Sequence, residues 1–404
     1  MKMLSRFGVV AVMLAGCALG SNAAGVDAAV LTEYVETMRN GEDPVEYVFR
    51  LFEGADIVII GERDHRDVTQ YELITKLLAD PRFAERVGYV YTEVGVTNMT
   101  QRANELVKDT YQSDEDFRKT LLAYLRDEDY SFCWEKTNRS VFLDSLYCIN
   151  NRLPASTKIT LGLTDPEFDW YETMSPEYYR QWYYDYAMLY PDKTPEEQCV
   201  RDRIMAENFS RLYRRQKPID GSRKALVITN HPHAVNDDYS KNEGYRIKQE
   251  FGADNVKIVC LNCYVMSNSS DYPSLLFDEG RWDAAFELIG CRPVAFDIKG
   301  NPFGQAIYHN TWRPFSGKSW ETFADGIIYY KPFYEFKASI GIEGFVDDNC
   351  KEEQMRRLKL IYDAGLSSDF DYESNKEYYN SVRIFSCERA EVLDAMREQM
   401  KKNL

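Results

Sequence analysis

Three of the four histidines in this 404-residue chain stand just beyond runs of strand-forming residues. The stretch "DIVIIGERDH" delivers Glu62 and His65, and "LVITNHPH" delivers Asn230, His231 and His233. Two more apolar runs end in acids, Glu93 in "VYTEVG" and Asp165 in "LGLTDPE", and a further run ends at Asp297. One polar residue at a strand tip means little, because tips are solvated and acids cap helices. Several together suggest chemistry. A carboxylate beside an imidazole orients the ring and stabilises its protonated form, which suits general acid–base work. Histidine is the side chain whose ordinary pKa lies nearest working pH. The same donor atoms also bind metals such as zinc, in which case His65, His231, His233 and Glu93 are the candidate ligands.

The elements that must position these groups are short Val-, Ile- and Tyr-rich runs alternating with helical patterns. Strands are expected over Asp56–Gly61, Tyr89–Glu93, Lys158–Leu163, Lys224–Thr229, Val256–Leu261, Pro293–Asp297 and Gly326–Tyr330. Their near-continuous apolarity fits strands covered on both faces. The pattern predicts an α/β fold with a mostly parallel central sheet flanked by helices. In such sheets, sites form beyond the carboxyl ends of the strands. Helical insertions are expected over about 97–157 and 166–222, forming a lid or wall over those ends. The second is rich in aromatics from Phe168 to Tyr190, which either line a cleft or pack helices together. A helical tail is expected over about 350–404, its last helix capped by Ser386. Within "RDRIMAEN", Arg203 and Glu207 are one turn apart. That spacing suits a solvated ion pair, or an Arg201 or Arg203 turned to the cleft to stabilise developing negative charge. Arg203 is the residue expected there.

Composition narrows the function classes. At 44% hydrophobic residues the chain can bury a sizeable core. Its formal net charge of −16 argues against general nucleic-acid binding, which needs a basic surface. The first residues read as a leader: Lys2 and Arg6, an apolar stretch, then small residues. Residues 1–24 are taken as a signal peptide, cut near Ser21–Ala23 or, by a lipobox-like "LAGC", at Cys17. Residues 25–404 then form one domain, exported to the periplasm or anchored to the envelope. Lipid on Cys17 would be the only membrane attachment. Eight other cysteines permit disulfides without specifying pairs. "CLNC" at 260–263 reads as buried structural cysteine in a strand, and His309 as structural.

The combination of "GERDH", "YTEVG", "GLTD", "RDRIMAEN" and "NHPH" resembles the erythromycin esterase-like family and its wider superfamily of ChaN, TraB and Tiki-type proteins. The likeness runs from about Asp56 to Val235, and "RDRIMAEN" is its most specific piece. The resemblance implies hydrolysis of an ester or lactone in a small-molecule substrate, with no cofactor required. In that reading His65 activates water, Glu93 and Glu62 support it, and His233 helps polarise the substrate. Arg203, His231, Asp165 and Asn230 are the expected substrate contacts. The alternative is a haem- or metal-binding envelope protein of the ChaN or Tiki type. A non-catalytic binding lipoprotein is the third reading, favoured if Arg63 or Arg66 fills the cleft by pairing with Glu62 or Glu93.

Overall fold

The computed structural model describes residues 23–128, 130, 136–173, 175–186, 200–264, 276–308, 317–368 and 370–404. The expected leader, apart from Ala23 and Ala24, lies outside them, as do Cys17, Cys133, Tyr190, Cys199 and His309. The six described cysteines are all free thiols. No helix among the described residues is long and apolar enough to cross a membrane.

Seven strands form the central sheet: β1 Ile57–Glu62, β2 Tyr89–Val96, β3 Thr160–Asp165, β4 Ala225–Asn230, β5 Val256–Leu261, β6 Val294–Asp297 and β7 Gly326–Tyr329, in the order β3-β2-β4-β1-β5-β7-β6. Every pair is parallel except β6–β7. The α/β class and the mostly parallel sheet are therefore as the apolar runs predict. Alternate residues feed two separate cores: Val58 and Ile60 on one face of β1, Ile57 and Ile59 on the other. Two covered faces leave few polar positions along these strands before their ends, so polarity accumulates at the tips. Reversal of β6 corrects one expectation. Asp297 pairs with Gly326, the first residue of β7, and therefore lies at the opposite edge from the other strand ends. There it accepts from the Tyr47 hydroxyl at 2.9 Å and forms an ion pair with Arg50 at 3.2 Å.

Neighbouring β3, β2, β4 and β1 bring Asp165, Glu93, Asn230 and Glu62 to one edge. Register breaks between Thr92 and Val96 of β2, where the chain bulges against β3. Gly95 occupies this bulge at φ +115°, a conformation L side chains rarely adopt. A Cβ there would stand 2.6 Å from Glu128 Oε1 and 2.8 Å from Arg139 Nη2. Those two groups form a buried ion pair of 2.7 Å and cannot swing aside into solvent.

The loop after β1 is held by an element that the residue pattern does not announce. Two four-residue strands, β8 Lys337–Ile340 and β9 Arg383–Ser386, pair antiparallel. The backbone N–H of Val68 donates to Lys337 O at 2.8 Å, and that of Ser339 to Arg66 O at 3.2 Å. The tail is thus helical except for β9, and Ser386 closes that strand instead of capping a helix. The last helix begins later, over Ala390–Lys401, with Arg389 before it and no side-chain cap.

Replacing Gly95 by Ala is expected to destabilise the fold by about 1–3 kcal/mol from backbone strain alone, with the Glu128–Arg139 contact adding to it. Urea unfolding checks this; an unchanged midpoint would mean the bulge tolerates a side chain.

Candidate active site

Glu93 lies at the centre of the strand ends and is fully buried. Its Oε2 accepts from the backbone N–H of Asn230 at 2.6 Å and from the Thr229 hydroxyl at 3.0 Å, both on adjacent β4. Its Oε1 faces Arg201 Nη1 at 2.9 Å, His233 Nε2 at 3.4 Å and His65 Nε2 at 3.7 Å. Burial pushes the Glu93 carboxyl upward, but His233, Arg201, His65 and the Asn230 N–H pull it down to about 2. Glu93 is an anion at every working pH. Thr229 also lies 2.8 Å from Glu243, whose pKa burial and the nearby Glu93 charge raise well above the ordinary value.

Two imidazoles are mounted in the same way. His65 Nδ1 contacts Glu62 Oε1 at 2.5 Å, and His233 Nδ1 contacts Asp202 Oδ1 at 2.8 Å. A carboxylate at Nδ1 holds the neutral ring as its Nδ1–H tautomer, so the free lone pair is on Nε2. Both Nε2 atoms point toward Glu93. His65 is further fixed by its own carbonyl, which accepts from Asn138 Nδ2 at 2.5 Å. Burial disfavours a charged His65 ring, yet Glu93 and Glu62 outweigh it and raise the His65 pKa above its ordinary value.

Arg201 completes the group. Its Nε donates to Asp165 at 2.6 Å while Nη1 reaches Glu93. The Tyr130 hydroxyl donates to the other Asp165 oxygen. Burial raises the Asp165 pKa despite these two donors. The side chains form two layers by exposure. Glu62, Glu93, Asp165 and Asp202 are at most 3% exposed, whereas His65, His233 and Arg201 are 18%, 20% and 14% exposed. Anions lie beneath; positive or protonatable groups meet the solvent.

The structure brings together His65, Glu62, Glu93, Asp165, His233 and the Asn230 backbone. Three expected contacts are placed elsewhere. Arg203, expected in the cleft, is half exposed and pairs with Glu207 at 3.0 Å. The helix Val200–Arg214 buries Asp202, Met205, Ala206 and Phe209, so its inner face includes Arg201 and Asp202 and turns Arg203 outward. His231, expected beside the substrate, is buried in a different pocket. Its Nδ1 meets Cys263 Sγ at 3.1 Å, its Nε2 meets the Tyr308 hydroxyl at 3.4 Å, and burial lowers its pKa to about 4. Asn230 spends its side-chain amide on Arg63 O. The residues overlooked in the sequence are Asp202, Thr229, Tyr130, Asn138 and Glu243. Only Asp202 had a usable signal: it precedes apolar Ala206 by one helical turn, as Arg201 precedes Met205.

Neither arginine of the first motif fills the cleft. Arg63 is buried against Asp67 at 3.0 Å with its guanidinium 3.9 Å from the Phe336 ring centre, and Arg66 pairs with Asp64 at 2.5 Å. The set His65, His231, His233 and Glu93 does not converge on a single metal ion. His231 faces away, and the Arg201 guanidinium occupies the Glu93 oxygen that a cation would use. Among the described residues no cluster of three or more His, Cys, Asp or Glu side chains converges as a metal site.

No protein-family model matches the sequence, and no curated protein matches it. Among solved structures the chain is similar to a protein from Bacillus cereus, at 12% identity over 74% of this chain and 96% of that one, with a TM-score of 0.48. It is similar to an erythromycin esterase mutant in its open conformation, at 11% identity over 70% and 92% of the two chains, with a TM-score of 0.42. It is also similar to haem-binding ChaN of Campylobacter jejuni, at 14% identity over 55% and 88%, with a TM-score of 0.33. At such identities and scores these likenesses carry no argument about what the cleft does.

Arg201→Ala leaves Glu93 and Asp165 buried without their cation and is expected to cost about 3–5 kcal/mol, whereas Arg203→Ala should change stability by about 0.5 kcal/mol or less. Urea unfolding of the two variants separates them; equal effects would contradict the placement. The folded pKa of Glu93 is depressed from 4.5 to about 2, so the stability its charge supplies is present above the higher value and lost as pH falls toward the lower. Acid unfolding of Arg201→Ala should therefore begin at a higher pH than in the parent protein.

Proposed function

We propose that the cleft hydrolyses an ester or lactone of a small molecule with water activated by His65. The observation that carries this reading is the pair of imidazoles, each anchored through Nδ1 on a buried carboxylate, with both Nε2 atoms converging on Glu93 Oε1 beside Arg201. A neutral His65 takes a proton from water at Nε2 while the oxygen adds to the acyl carbon. Glu62 and Glu93 stabilise the resulting imidazolium. The tetrahedral oxyanion meets the Arg201 side of the site, where the guanidinium favours the negative charge that develops. Collapse breaks the acyl–oxygen bond, and the His65 imidazolium returns its proton to the leaving alkoxide. The products are an acid and an alcohol, or one hydroxy acid from a lactone.

Support for an active rather than a degenerate site comes from Arg63 and Arg66, whose charges are directed at Asp67 and Asp64 and leave Glu62 and Glu93 to the histidines.

His65→Ala should lower turnover of any ester or lactone substrate by about 10²- to 10⁴-fold; unchanged turnover across a substrate screen would sink the mechanism. The base form of His65 exists above its raised pKa, so the acid limb of kcat/KM should lie above the ordinary histidine value of 6.5. Glu62→Gln removes a charge that raises that pKa, so the limb should move to lower pH. A limb that stays in place would assign the base elsewhere.

A further inference from the structure

A concavity of about 380 Å³ lies in the C-terminal region between the helices Lys351–Asp363 and Tyr372–Asn380. Its volume falls within the range of small-molecule sites, roughly 300–1,000 Å³. The wall includes the amides of Gln354 and Asn375, the hydroxyl of Ser374 and the rings of Tyr130, Phe370 and Tyr378. Phe370 and Tyr378 stand at the rim, 39% and 45% exposed. Asn375 Oδ1 is buried and has no hydrogen-bond partner among the described residues. A buried acceptor without a donor is unfavourable, and a donor on a ligand would relieve it.

From this lining we infer that the cavity binds a neutral carbohydrate, a mono- or disaccharide. Amides both donate and accept, as vicinal hydroxyls require, and aromatic rings cover the apolar C–H face of a sugar. Anionic ligands are disfavoured. Among the described lining residues the one cation is Arg357, whose Nε meets Glu353 at 2.7 Å and whose Nη2 meets Asp127 at 3.3 Å. Its charge is already matched by two carboxylates, and the remaining charged group in the wall is Asp371. A phosphorylated sugar or nucleotide would therefore meet no available positive charge. The site also has a wall in common with the cleft. Tyr130 lines the cavity and its hydroxyl bonds Asp165, the carboxylate that holds Arg201. Sugar recognition is nonetheless independent of the His65 chemistry.

Titration calorimetry with glucose, galactose, N-acetylglucosamine, cellobiose and lactose tests the inference on the full chain. At least one should bind with a Kd of about 1 mM or tighter, and Asn375→Ala and Tyr378→Ala should each weaken it about tenfold or more. Both positions are partly exposed on one helix, so the variants should fold, which circular dichroism checks. His65→Ala should bind the same sugar with unchanged affinity. Three results would overturn the assignment: no sugar binding at concentrations about tenfold higher, equal binding by both cavity variants, or loss of binding in His65→Ala, which would put the sugar in the cleft. Tighter binding of glucose 6-phosphate than of glucose would overturn it too, by showing an anion site.

Discussion

Keeping the Glu93 carboxylate ionised inside the protein is the constraint to which the rest of the cleft answers. An uncompensated buried charge costs several kcal/mol, so each oxygen must be met by donors or positive groups. One oxygen is met by β4 through the Asn230 N–H and the Thr229 hydroxyl. The other is met by Arg201, which itself needs Asp165 to balance it. Three neighbouring strands, β3, β2 and β4, and one helix are thereby tied to a single carboxylate. The parallel sheet makes this feasible because it brings several strand ends to one edge, and the bulge around Gly95 sets where β2 delivers its acid.

That arrangement stores negative charge below and presents nitrogen above. His65 and His233 stand over Glu93 with Nε2 3.7 and 3.4 Å from its Oε1, each held from behind by its own carboxylate. The two rings are related in design but not in setting. His65 feels both Glu62 and Glu93, which raise its affinity for a proton, whereas His233 lies 3.4 Å from Arg201 Nη1 as well as from Glu93.

The charged residues between Glu62 and His65 have a structural explanation. Arg63 turns beneath Phe336 to meet Asp67, and Arg66 folds back on Asp64. The same loop is hydrogen-bonded along its backbone to β8. Bulk and charge at these positions clamp the segment carrying His65 to the C-terminal sheet and leave Glu62 and Glu93 to the histidines. The tail beyond residue 350 therefore bears on the site: its β9 completes the sheet against which that loop rests.

Much of the fold was legible in the residue pattern. Seven apolar runs became seven strands, with ends displaced by three residues or fewer, because strands buried on both faces must be continuously apolar. Glu62, His65, Glu93, Asp165 and His233 were legible for the same reason, since polarity on such strands is confined to the tips. The short strands β8 and β9 were not, because four residues carry too little periodicity to register. Nor could the pattern show that β6 runs backwards and carries Asp297 to the far edge. Spacing identified "RDRIMAEN" and "NHPH" as important but chose the wrong arginine and one histidine too many. A helix exposes either face until a neighbour buries one, and the packing of Val200–Arg214 on β3 and on the helix Glu243–Phe251 set Arg201 and Asp202 inward. The sequence by itself determined which polar groups reach the sheet edge, through burial along the strands. Which of those groups meet was decided by tertiary structure alone, because helix phase and loop closure depend on the surfaces packed against them.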